Sequence, residues 1–154
     1  MGLPPGSTLE RNTFRCASPD CGVEIGDDTR VVDNVWRNYE DSEALVVTGN
    51  GNLIERNTFG ASDRTSVEVR GRGNLLRANT FNVDGFSGPV IEIANGANVL
   101  EANVVLPTPD GDRAGVGIRF TADGNAFGNN RLGALVPVDV GATVQTDWGG
   151  NVPF

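Results

Sequence analysis

A nine-residue stretch, GNLIERNTF from Gly51 to Phe59, recurs in near-copies along the chain, and this repetition constrains the fold more than any other feature. GNLLRANTF (Gly73 to Phe81) matches it best. GSTLERNTF (Gly6 to Phe14), ANVLEANVV (Ala97 to Val105) and GNAFGNNRL (Gly124 to Leu132) are looser copies, and DTRVVDNVW (Asp28 to Trp36) is a worn one. Trp148, Asn151 and Pro153 keep the same register at the end of the sequence. With the seventh residue as marker, the copies fall at Asn12, Asn34, Asn57, Asn79, Asn103, Asn130 and Asn151, in steps of 22, 23, 22, 24, 27 and 21. A period in the twenties is the signature of a solenoid, in which each unit buries its apolar face only against its neighbours.

Each unit divides into three short strands. Between Ser66 and Phe81, Val67 and Val69 alternate with Ser66, Glu68 and Arg70, the period-two pattern of a strand with one face buried. Gly71 and Gly73 turn the chain into a second strand at Asn74, Leu75 and Leu76, and Thr80 and Phe81 form a third. Asn79 is expected at the bend between them, because Asn tolerates left-handed backbone angles. Overlaying the units gives apolar columns. The first strand contributes Val23 and Ile25, Leu45 and Val47, Val67 and Val69, Ile91 and Ile93, Ile118 and Phe120, and Val138 and Val140. The second contributes Leu9, Val31, Ile54, Leu76, Leu100, Phe127 and Trp148, and the third Phe14, Trp36, Phe59, Phe81, Val105 and Leu132. Stacking at the ~4.8 Å spacing of neighbouring strands predicts a ladder in which each marker Asn bonds the next. Ser7, Thr29, Asn52, Asn74, Asn98, Asn125 and Thr146 form a second polar column.

Composition narrows the chemistry. The 154 residues suit a single domain, and no apolar run is long enough for a membrane span. All 12 basic residues are Arg, so a His base, a His metal ligand and a Lys Schiff base are excluded. The net charge of −8 argues against nucleic acid or an anionic membrane as partner, and a polyanionic ligand would need a cation or a local Arg cluster. Cys16 and Cys21, in RCASPDCG, read as a local disulfide, which favours an oxidising compartment and a secreted or cell-surface protein. MGLPPG has no basic or apolar segment, so no signal peptide is read. The first and last coils lie close to the two ends of the sequence, with no amphipathic helix to cover them. That leads us to expect a module of a longer protein or an oligomer subunit, its ends covered by flanking domains or by a second copy.

The pattern N-x-[apolar]-x-x-N-x-[apolar], repeated over nearly the whole chain, resembles that of the right-handed parallel β-helix proteins of the pectate-lyase-like superfold. The rival, a leucine-rich repeat, wants Leu three residues before Ile54 and Leu76, where this chain has Gly51 and Gly73. The resemblance implies an all-β solenoid of about seven coils with 21–27 residues per coil and an Asn ladder. It also implies a ligand groove on the outer face of the first strand, where Glu24, Val46, Glu68, Glu92, Arg119 and Asp139 line up, with Arg70 beside Glu68. The family's chemistry, carried over, has Glu68 and Glu92 with Asp139 holding Ca²⁺ and an acidic sugar, with Arg119 as base in β-elimination; Arg119 and Glu92 are thus the catalytic candidates. The family's catalytic signatures are not matched. Glu68 with Asp139, or Glu24 with Glu68, would be the carboxyl pair of an inverting hydrolase. The competing reading makes Glu92 and Arg119 a cross-coil salt bridge on a solvated face.

In the longest loop, LPTPDGDRAG, Asp110 and Asp112 form a DxD segment able to hold Ca²⁺ or simply to make a turn. Tyr39 and Phe86, in loops flanking the groove, are candidate sugar-stacking platforms. Two functions follow: an extracellular module that binds or helps process polysaccharide along its first sheet, or a non-catalytic structural or adhesive scaffold.

Overall fold

The computed structural model describes residues 1–15, 22–37, 42–60, 64–83 and 86–154. Cys16, Cys21 and Tyr39 lie outside these residues, so the disulfide and the tyrosine platform are not addressed by it. The described elements are all strands, arranged in three seven-stranded sheets. The first sheet stacks Gly2–Leu3, Val23–Ile25, Leu45–Val47, Val67–Val69, Pro89–Ile93, Ala114–Phe120 and Ala134–Asp139. The second stacks Thr8–Glu10, Arg30–Val32, Leu53–Glu55, Leu75–Arg77, Val99–Glu101, Ala126–Gly128 and Thr146–Asp147. The third stacks Thr13–Arg15, Val35–Arg37, Thr58–Phe59, Thr80–Asn82, Val104–Leu106, Arg131–Leu132 and Val152–Pro153. Each strand pairs in parallel with its counterpart one coil away, as Val67 does with Leu45 and Ile91. The chain is therefore a parallel β-helix, consistent with the right-handed class.

The interior follows from the columns. Leu45, Val47, Val67, Val69, Ile91, Ile93, Ile54, Leu76 and Leu100 are wholly buried. In the third sheet Phe14, Trp36, Phe59 and Phe81 form a continuous aromatic stack with centroids 4.9, 4.7 and 4.8 Å apart, which is the strand spacing imposed on rings.

One side-chain ladder runs the length of the stack, and a second runs from Thr29 onward. The backbone N–H of each marker Asn from Asn12 to Asn130 donates to Oδ1 of the marker Asn in the next coil, at 2.9–3.1 Å. The side-chain Nδ2 donates to the same oxygen at 3.0–3.2 Å. The left-handed angle expected at Asn79 belongs instead to the residue before each marker: Arg11, Asp33, Arg56, Ala78, Ala102 and Asn129 have φ of 52–57°, and Gly150 has 71°. A non-Gly residue in that region costs about 1–2 kcal/mol. It is held there because the turn it makes aims the following Asn into the stack, where its bonds offset the cost. The second polar column repeats the device: Thr29, Asn52, Asn74 and Asn98 each donate an N–H to the next coil's Oδ1, and each follows a positive-φ residue.

The last coil corrects three expectations. The strand register pairs Phe127 with Asp147, so Asp147 and not Trp148 takes the inward position of the second sheet. Asn125 N–H bonds Gln145 Oε1 at 2.8 Å, so Gln145 and not Thr146 ends the second ladder. Gly149 and Gly150, both at positive φ, absorb one residue more than the corner uses in other coils. Trp148 lies over Gly128 and is 53% exposed, and Val140, assigned to the core column, is also exposed.

Candidate functional site

The outer face of the first sheet carries the row read from the sequence. Backbone pairing sets Gly2 beside Glu24, Glu24 beside Val46, Val46 beside Glu68, Glu68 beside Glu92, Glu92 beside Arg119 and Arg119 beside Asp139. From Glu24 to Arg119 the neighbours along each strand are buried core residues, so strand alternation turns the row to solvent. Glu24 is exposed, and Glu68, Glu92, Arg119 and Asp139 are half-buried.

The pairing within the row differs from the expected Glu92–Arg119 bridge. Arg119 Nε donates to Asp139 Oδ2 at 3.0 Å, and Asp139 Oδ1 accepts the N–H of Gly141, also at 3.0 Å. Arg70 reaches back two residues and grips Glu68 through Nε and Nη2, at 2.8 and 2.7 Å. That bidentate bond to Glu68, reinforced by the more distant Glu43 and Glu24, raises the Arg70 guanidinium above its ordinary value. Glu92 stands between the two pairs with no ion-pair partner among the described residues.

At the first-coil end of the row lies an open hollow of about 270 Å³, lined by Met1, Gly2, Gly22, Val23, Glu24, Ser42, Glu43 and Val46. Two carboxylates rim it. Ser42 is 7% exposed and its Oγ has no hydrogen-bond partner. Ser42 and Glu43 were not singled out in the sequence. Their signal was available, since they immediately precede the buried run Ala44–Leu45 that opens a first-sheet strand.

Of the metal candidates, Glu68 and Glu92 are set side by side on neighbouring strands, while Asp110 and Asp112 lie in a separate loop. Among the described residues no group of three metal-capable side chains converges, and both Glu68 oxygens are occupied by Arg70. Asp110 and Asp112 are exposed in a turn closed on Thr108, whose carbonyl accepts Gly111 N–H and whose Oγ1 accepts Asp112 N–H, each at 2.9 Å. Phe86 is half-buried and packs against the hydrophobic core.

Fold and site together define a parallel β-helix with a charged row along one sheet. No protein family, curated protein or solved structure matches the chain.

Proposed function

We propose that this chain is an extracellular β-helix module that binds polysaccharide along the outer face of its first sheet. The observation that supports it is the in-register row from Glu24 to Asp139, presented at one strand spacing per coil and leading into the hollow rimmed by Glu24 and Glu43. Carboxylates along the row accept hydrogen bonds from sugar hydroxyls, and the two arginines donate them. Among the described residues, Glu24, Glu43, Glu68 and Glu92 outnumber the cations beside them, Arg70 and the Met1 ammonium at the hollow, so the ligand that fits is neutral or amino-bearing rather than a uronate chain.

Affinity electrophoresis through gels of neutral, amino and acidic polysaccharides tests this reading. Retardation in a neutral or amino-sugar gel, weakened by Glu24→Gln and by Glu92→Gln, is the expected result. Unretarded migration in every gel, by a protein that melts cooperatively, sinks it.

A second reading, a structural or adhesive scaffold without a small ligand, is favoured by one observation: Arg70 and Arg119 already close on Glu68 and Asp139, which leaves half of the row self-satisfied. Under this reading the same gels show no retardation and the row serves solubility.

A further inference from the structure

The joints between coils share their parts: parallel pairing in three sheets, an apolar column behind the strands, and ladders in which a backbone N–H donates to a side-chain oxygen of the next coil, through the marker Asn at each joint and through the second column from Thr29 onward. At the last coil the parts are altered. Asp147 occupies the inward column of the second sheet, where Val31, Ile54, Leu76, Leu100 and Phe127 are buried in the preceding coils. Its Oδ1 accepts Gly149 N–H and Asn151 Nδ2, both at 2.7 Å. In the third sheet Val152 N–H points back to the Asn130 carbonyl, so by strand alternation the next backbone nitrogen faces the open side. That nitrogen belongs to Pro153 and carries no hydrogen.

We propose that the last coil is a built terminator of the stack, one that refuses a further parallel coil whether it comes from a following segment or from a second copy of the chain. Docking such a coil would bury the Asp147 carboxylate in an apolar column without a cationic partner, and in the third sheet it would meet a proline nitrogen with no hydrogen to donate. A stop is needed at this place. Leu135, Val144 and Trp148 are all more than half exposed on the same coil, so apolar attraction alone would draw copies together. The inference is independent of what the first sheet binds.

Sedimentation velocity over a wide concentration range compares the wild-type chain with Asp147→Leu/Pro153→Val. The wild type should sediment the same at all concentrations, whereas the double variant should lengthen progressively, as head-to-tail contacts that do not close into a ring require. Wild-type growth with concentration, accompanied by hydrogen-exchange protection of residues 146–153, would overturn the proposal. So would a cooperatively melting double variant that sediments like the wild type. A second measurement does not depend on the variant folding: a copy of residues 86–106 is appended after Phe154 of the wild-type chain and followed by hydrogen exchange. Exchange at the rate of an unstructured peptide is expected, and protection of the added segment refutes the terminator.

Discussion

Replacing Asn79 by alanine tests whether the ladder carries stability or merely accompanies it. Asn79 is fully buried, and its side chain makes four bonds: Oδ1 accepts Asn57 N–H and Asn57 Nδ2, each at 3.0 Å, while Nδ2 donates to the Ile54 carbonyl and to Asn103 Oδ1, each at 3.0 Å. Truncation leaves the buried Asn57 N–H with no acceptor and idles one Nδ2 hydrogen of Asn57, whose other one stays on the Val31 carbonyl. Asn103 Oδ1 keeps the N–H of residue 79. An orphaned buried donor costs about 1–3 kcal/mol, and with the partial losses on the other side the sum is about 3–5 kcal/mol. Asn12→Ala is the internal control. That side chain is exposed and no donor among the described residues reaches its Oδ1, so its loss should cost about 1 kcal/mol or less. Urea denaturation at equal slope reads both. A difference between the two variants smaller than about 1 kcal/mol refutes the ladder as a source of stability. Asn79→Asp adds a sign. Burial raises the folded pKa of the new carboxyl above its unfolded value, so the variant's stability is fully present below the unfolded value and falls as pH rises through the folded one. It should be closest to wild type in acid.

Phe59→Ala removes a wholly buried ring from between Trp36 and Phe81 and should cost about 3–5 kcal/mol, against distinctly less for half-buried Phe14→Ala at the end of the stack; equal losses in thermal melts would contradict the stack. A Cβ on Gly71 would collide with the Gly49 carbonyl in the preceding coil, whereas one on Gly73 meets nothing and suffers only its φ of +65°. Gly71→Ala should therefore abolish folding or lower the melting point far more than Gly73→Ala, whose cost is about 1–2 kcal/mol; the reverse order would be decisive against the stacking geometry. Asp33 accepts Nε and Nη2 of Arg56 at 2.9 and 3.1 Å, and this bond holds its carboxyl below the ordinary value of 3.8. A depressed folded pKa contributes stability above the unfolded value that is lost as pH falls through the folded one. Carbon-detected NMR titration should find the Asp33 midpoint returning to the ordinary range in Arg56→Gln, and an unmoved midpoint would count against the pair as its cause.

The stack was legible because its constraint is written at every coil: a residue behind each strand must be apolar, and two residues per coil must bond their own kind. The left-handed corner was assigned to Asn79 instead of Ala78 because propensity favours Asn there. Translational repetition makes the stronger demand, since only the corner's second residue faces its equivalents. The last coil misled for a related reason. Counting back from Asn151 puts Trp148 in the core column, and its apolar side chain agrees. The extra residue taken up at Gly149 and Gly150 shows only in the register that sets Asp147 opposite Phe127. The row from Glu24 to Asp139 was legible in position and not in pairing. Arg119 has Glu92 on one side and Asp139 on the other, and the choice between them is made by side-chain torsions that no spacing encodes.

The uniform offset between coils also sets how such a chain can change length. Removing Asn52 to Gly73 would join Gly51 to Asn74 and bring Asn34 to Asn79, Val31 to Leu76 and Trp36 to Phe81, each a partner of the kind lost. The product is a rod shorter by one strand spacing, ~4.8 Å, with no new kind of joint in it. Its outer row would lose Glu68 together with the Arg70 that grips it, leaving Glu92 next to Val46. Length and surface pattern are thus edited by whole coils, so this architecture behaves as a ruler whose graduations can be removed singly, while a globular core of the same size offers no such unit.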